Sequence, residues 1–218
     1  MSDKLRLGVL ISGRGSNLQA LIDACRDLTF PAEIVIVISN TPDALGLERA
    51  RHADIPCVVV NHKDYDHRAP FDSEMTRALD EAKVQLVCLA GFMRLLSETF
   101  VEYWHDRLIN IHPSLLPAFK GLNVQSRAIE SGTRFSGCTV HYVRHEMDVG
   151  PIIAQAVVPV HNADDPDTLS TRILEQEHRI YPIVVRWIAE NRVRIEGARV
   201  IVSGPGPPKE MLLNPTPK

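Results

Sequence analysis

Apolar positions in the first half of the chain form short runs separated by stretches with helical spacing. Leu5–Ile11 is one such run, and it ends in Ser12-Gly13-Arg14-Gly15. Leu18, Leu21, Ile22 and Cys25 then recur at the spacing of one helix face. The β-branched run 34–38 ends in Ser39-Asn40, a helical stretch follows around 44–53, and 57–60 reads as a strand. Residues 71–83 are amphipathic, Leu86–Leu89 is a buried strand ending in Ala90-Gly91, and Ser97 is placed to cap a helix reaching about Tyr103. A further short strand covers 108–111. Strands alternating with helices predict parallel β-α-β units with right-handed connections in an α/β, doubly wound, Rossmann-like sheet. Ligands of such sheets sit beyond the carboxyl ends of strands. The segments 12–17, 39–40, 90–94 and 110–113 occupy such ends, so they are expected to converge on one edge.

The pattern changes after Pro117. Val124–Glu130 reads as a short helix, and 138–143 and 152–158 as strands of a hairpin whose loop, 144–151, is long enough to be functional. Residues 168–189 form a long amphipathic helix that Pro182 is placed to kink. Segments 193–195 and Arg199–Val202 suggest a last hairpin. The expectation is a mostly parallel sheet with a C-terminal antiparallel extension, in one domain over 1–202. Its phosphate-binding half covers about 1–100, and its catalytic half about 101–202. The tail 203–218 carries five prolines and two glycines and is expected to be mobile, without a catalytic role.

Composition narrows the possible partners. The 218 residues are 44% hydrophobic and 23% charged, with a formal net charge of -3. No overall basic field exists to hold nucleic acid or an anionic membrane, so an anion must be bound locally and the partners are expected to be small molecules. No apolar run approaches the ~20 residues of a membrane span, and the first residues, Met-Ser-Asp-Lys-Leu-Arg, contain no apolar leader segment. Cys25, Cys57, Cys88 and Cys138 lie far apart in apolar settings and read as reduced core thiols of a cytoplasmic protein. Monomer and homodimer both remain open.

Between the first strand and helix, Ser12-Gly13-Arg14-Gly15-Ser16-Asn17 has the makings of a phosphate cradle. Two glycines allow close backbone approach. The helix N-terminus offers free N–H groups, and Ser16 and Asn17 add side-chain donors. The alternative is a tight turn in which Ser16 or Asn17 only caps the helix. A Walker loop would need Gly-Lys-Ser/Thr, which is absent. A dinucleotide fingerprint would need a third small residue where Leu18 stands, so no nicotinamide cofactor is expected.

Asn110-Ile111-His112-Pro113 follows a strand, and strand alternation puts Asn110 and His112 on one side. An amide donor can stabilise a developing oxyanion while an imidazole moves protons, which suits acyl transfer. A buried histidine bonded only to its neighbours is the plainer alternative. Asp148, in Met147-Asp148-Val149-Gly150, could hold His112 and favour its charged form, or could simply form a turn. Spacing alone does not pair the two. His141 and His145 with Glu146 invite a metal reading, but lie in a strand and its loop, without a recognisable ligand pattern, so no metal is expected. No G-x-S-x-G elbow is present.

Taken together, V-L-I-S-G-R-G-S-N-L-Q-A-L at 9–21, C-L-A-G-F-M-R-L-L at 88–96, N-I-H-P-S-L-L-P at 110–117, G-C-T-V-H-Y-V at 137–143, M-D-V-G-P-I-I at 147–153 and Q-E-H-R-I-Y-P at 176–182 resemble the folate-dependent phosphoribosylglycinamide formyltransferases of purine biosynthesis. The likeness extends to about residue 190, and the order and spacing of its motifs make it specific. It implies attack of a glycinamide amine on the formyl carbon of 10-formyltetrahydrofolate, the co-substrate, with no metal. It implies Asn110, His112 and Asp148 as the catalytic set. It places the phosphate on Gly15, Ser16 and Asn17, and the ribose on Glu177. It puts the folate against Arg68, Met93, Arg94, Leu95, Leu96, Asn110, Arg144, His145, Glu146, Met147 and Asp148. One departure is visible. Many members carry histidines in a G-L-H-T-H-like stretch that here reads Gly121-Leu122-Asn123-Val124-Gln125. Gln125 can hydrogen-bond there but cannot carry charge.

Three rivals share parts of this pattern. Formyltetrahydrofolate hydrolases have a further N-terminal domain and typically N-I-H-H, where this chain has Pro113. Methionyl-tRNA formyltransferases carry a C-terminal RNA-binding domain, which the acidic balance and proline-rich tail argue against. A non-catalytic nucleotide-binding module would not need Asn110, His112 and Asp148 together.

Overall fold

The computed structural model describes residues 4–204, 206, 210 and 212–215. Its strands are β1 (Leu5–Ile11), β2 (Ala32–Ser39), β3 (Cys57–Val59), β4 (Leu86–Leu89), β5 (Leu108–His112), β6 (Phe135–Tyr142), β7 (Ile152–Pro159), β8 (Val193–Glu196) and β9 (Arg199–Val202). Its helices are α1 (Ser16–Cys25), α2 (Leu45–His52), α3 (Arg68–Glu81), α4 (Glu98–Tyr103), α5 (Val124–Glu130) and α6 (Pro166–Ala189). Seven strands form one sheet in the order β3-β2-β1-β4-β5-β6-β7, and β8-β9 form a separate hairpin. The pairs among β1 to β5 are parallel, whereas β5-β6 and β6-β7 are antiparallel. This is the expected α/β sheet with its antiparallel extension.

β1 shows why its sequence is a continuous apolar run. Leu7, Val9 and Ile11 belong to one core with Leu18, Leu21, Ile22, Tyr181 and Val184. Leu10, on the other face, packs with Met75, Leu79, Phe100 and Trp104. A parallel sheet covered on both faces leaves no position for alternating polar residues.

β6 begins at Phe135, three residues before the apolar alternation announces it. Ser136 and Gly137 do not read as strand, but Ser136 is buried and a Cβ on Gly137 would stand 1.9 Å from Ala156 O. A packed neighbour strand holds them extended. α6 starts on a capping box between Asp165 and Thr168, with Pro166 in its first turn, and Pro182 lies inside it. Half of the 203–218 tail, for which mobility is expected, lies outside the described set. Within that set, Asn214 Nδ2 donates to Val160 O at 3.1 Å.

The chain reverses its direction of strand addition between β1 and β4, and the crevice of a doubly wound sheet opens at such a point. Ser12 N donates to Gly91 O at 3.2 Å, Met93 N to Ser12 Oγ at 2.7 Å, and Ser12 Oγ to Asn40 Oδ1 at 2.5 Å. Three of the strand-end segments expected to converge are thus tied together. The fourth, after β5, joins them where Ile111 and Pro113 line a cleft with Ser12 and Gly91.

Candidate active site

The turn after β1 ends at Gly15, which has φ 69° and ψ 32° and caps α1 without a side-chain hydrogen bond. That left-handed conformation suits glycine, and a Cβ there would lie 2.6 Å from Gly46 Cα. Ser16 and Asn17 lie inside the helix, so neither is the cap that the alternative reading required. No acidic residue occupies the first turn, so the N-terminal N–H groups and the positive end of the helix are left for an anion. The Asn17 side chain turns away from that role. Its Nδ2 donates to Glu177 Oε2 at 2.7 Å, while its Oδ1 is buried without a partner among the described residues. Glu177, on α6, is itself buried, and burial raises its carboxyl pKa. These residues line a cleft of ≈ 300 Å³.

A second cleft, of ≈ 510 Å³, adjoins it. Asn110 and His112 enter from β5, two residues apart on one face, as strand alternation requires. β6 runs antiparallel beside β5 and sets His141 directly opposite Asn110. Asp148 comes from the loop between β6 and β7. Its φ of 55° is a left-handed backbone, uncommon for a residue with a side chain. Gly150 lets that loop lie against β6, since a Cβ there would stand 1.6 Å from Tyr142 O.

Asp148 Oδ2 lies 3.5 Å from His112 Nδ1 and accepts from Gly121 N at 2.9 Å, while Oδ1 lies 3.9 Å from His141 Nε2. The His112 and Asp148 side chains are only 8% and 9% exposed, so little water screens the pair. His112 Nε2 faces Phe119 O at 3.0 Å. A protonated ring therefore has an oxygen partner on each side.

His141 has another part. Its Nδ1 faces Tyr142 O at 2.9 Å and must carry the proton of the neutral ring, which leaves Nε2 to accept from Asn110 Nδ2 at 3.3 Å. Burial lowers its pKa and so favours that neutral form. One Asn110 amide hydrogen is thereby committed and the other is left for a ligand.

Met93, Arg94, Leu95 and Leu96 line the same cleft, as do Arg144, His145, Glu146 and Met147. Met93, Leu95 and Met147 expose more than half their surface there, an apolar rim suited to a flat ring. Arg144 is held by Asp106 at 2.6 Å. Arg68 opens α3, is exposed, and lines neither cleft. Arg14 lines the cleft at the start of α1. Sequence reasoning weighed His141 only as a metal ligand and did not consider the Gly121 N–H or the Phe119 carbonyl. The register of β5 against β6 would have exposed His141, but needs the pairing to be known. Among the described residues no cluster of three or more His, Cys, Asp or Glu could hold a metal ion.

Comparison with known proteins bears on this arrangement. Residues 5–185 match the family model described as formyl transferase. The chain is 42% identical over 209 residues to the phosphoribosylglycinamide formyltransferase of Haemophilus influenzae, covering 96% of this chain and 99% of that one. It is 55% identical over 191 residues, 87% of this chain, to the trifunctional purine biosynthetic protein adenosine-3 of Drosophila pseudoobscura pseudoobscura, of whose length it spans only 14%. Among solved structures, glycinamide ribonucleotide transformylase 1 from Symbiobacterium toebii is 48% identical with a TM-score of 0.90, covering 93% of this chain and 95% of that one.

Proposed function

The chain belongs to the formyl transferase family, among the phosphoribosylglycinamide formyltransferases, and on that premise we propose how its two clefts act. The reaction moves the formyl group of 10-formyltetrahydrofolate to the glycinamide amine of N1-(5-phospho-β-D-ribosyl)glycinamide, a step of purine biosynthesis. The observation that carries the reading is the meeting of Asn110, His112 and Asp148 in one cleft beside an open helix N-terminus.

Gly15, Ser16 and Asn17 hold the phosphate through backbone N–H groups, and Glu177 takes the ribose. The folate lies against Met93, Arg94, Leu95, Leu96, Arg144, His145, Glu146 and Met147, with Asn110 and Asp148 at its reacting end. Arg68 stays outside the clefts, and its folate contact rests on family resemblance alone.

The amine nitrogen attacks the formyl carbon, and the carbonyl oxygen becomes an oxyanion. The carbon–nitrogen bond to the folate breaks, and the proton lost by the amine ends on the departing nitrogen. The free amide hydrogen of Asn110 meets the oxyanion. Removing one such donor typically costs roughly a hundredfold to a thousandfold in rate. His112, matched by Asp148, stabilises the same charge and carries the proton. His141 is a positioning residue that fixes the Asn110 amide.

We assign one domain over 1–202, with its phosphate half about 1–100, its catalytic half about 101–202, and 203–218 as a tail. No described helix is long and apolar enough to cross a membrane. A cytoplasmic enzyme with small-molecule partners, as monomer or homodimer, completes the proposal.

The test mixes the protein with 10-formyltetrahydrofolate, with and without the ribonucleotide acceptor. Transfer that depends on the acceptor is expected. Equal folate turnover without it would replace the transferase with the hydrolase reading.

A further inference from the structure

The two clefts meet at a seam formed by Gly91, Met93, Ile111, Pro113 and Gln125, which line both. Four of these offer no polar hydrogen-bonding side chain. Gln125, half-buried in the first turn of α5, is the exception. Its carboxamide has no hydrogen-bond partner among the described residues.

On the reading above, the acceptor spans this seam: its phosphate sits at α1 and its amine among Asn110, His112 and Asp148. The part that crosses is a carboxamide, with a carbonyl to satisfy and an N–H to satisfy. An amide drawn against methionine, isoleucine and proline without partners is destabilised. A glutamine carboxamide presents one acceptor and two donors, so it can meet both needs.

We infer that Gln125 is a specificity-determining residue that binds the amide linkage of the acceptor as it passes from the phosphate cleft to the formyl cleft. This assignment rests on the proposed transferase reading. Being uncharged at every working pH, Gln125 holds that amide without adding a titration of its own to acceptor binding.

The test measures KM for each substrate in Gln125→Leu, which keeps the bulk and removes the polar atoms, and in Gln125→His. Loss of one neutral hydrogen bond predicts KM for glycinamide ribonucleotide about tenfold higher in Gln125→Leu. KM for 10-formyltetrahydrofolate should stay within about twofold. Gln125→His should recover most of the acceptor affinity. It should also acquire a pH dependence in acceptor KM near the imidazole range, about 6.5, that the parent lacks. An unchanged acceptor KM in Gln125→Leu, or a rise confined to the folate, overturns the assignment while leaving the transferase reading intact. A parent protein without acceptor-dependent transfer overturns both.

Discussion

Replacing Asp148 by Asn separates the charge of this residue from its shape. The Asp148 carboxylate does two things in the structure: it faces His112 Nδ1 at 3.5 Å, and it accepts the Gly121 N–H at 2.9 Å. An asparagine oxygen can keep the second contact. Asparagine also tolerates the left-handed backbone at φ 55° better than most residues. What is lost is the negative charge. At 3.5 Å and an effective dielectric of about 20, a carboxylate and a protonated imidazole attract by roughly 5 kcal/mol. Water in the cleft and the dipole of the new amide offset part of this, so roughly 3–4 kcal/mol of transition-state stabilisation should disappear. That corresponds to a kcat lower by about a hundredfold to a thousandfold. Steady-state formyl transfer measures it, with thermal melting as the control, and both KM values and the melting temperature should stay near those of the parent. Asp148→Ala should be worse in both respects, because it also strands the Gly121 N–H and places alanine in a left-handed backbone. A Asp148→Asn enzyme whose kcat falls less than about threefold would refute the charge role, as would a rate loss that tracks lost stability.

Other perturbations probe the remaining parts of the site. His112→Ala should abolish transfer while leaving the melting curve and phosphate binding near those of the parent, and near-normal turnover would remove His112 from the catalytic set. His141→Phe keeps a planar ring, though a larger one, and frees the Asn110 amide, so kcat should fall on the order of tenfold, while the overfilled site and the lost bond to Tyr142 O cost some stability at neutral pH. Because burial lowers the folded-state pKa of His141, the parent should lose stability as pH drops below about 6.5, and the phenylalanine variant should lose less across that window. Paired melting curves between pH 5 and 8 test this, and an identical acid response would show that His141 carries no such cost. Burial raises the Glu177 pKa, so its ionisation opposes folding at pH values above the unfolded-state value of about 4.3. Glu177→Gln should therefore melt higher than the parent at neutral pH, with the gap closing on acidification, yet bind the ribonucleotide more weakly in a direct titration. A variant that is no more stable, or that binds as tightly as the parent, would contradict this.

Local sequence determined much of the framework. The apolar run Leu86–Leu89 and the helix Val124–Glu130 begin and end where their patterns place them, because each is bounded by strong local signals. The turn after β1 was readable, since two glycines stand between a strand and a helix. Its cap was not, because the chain turns on the backbone of Gly15 rather than on the side chains of Ser16 or Asn17. Strand alternation alone put Asn110 beside His112. Family resemblance, not spacing, named Asp148 as their partner.

Only the tertiary structure supplied the geometry that joins them. Asn110 and His141 are 31 residues apart and meet because β5 and β6 pair in one particular antiparallel register, which no local pattern encodes. Asp148 reaches His112 through a left-handed residue and a glycine pressed against β6, both features of packing. Periodicity reports which face of an element is buried. It carries no information on which buried faces come together, because that depends on closing loops between residues far apart in the chain.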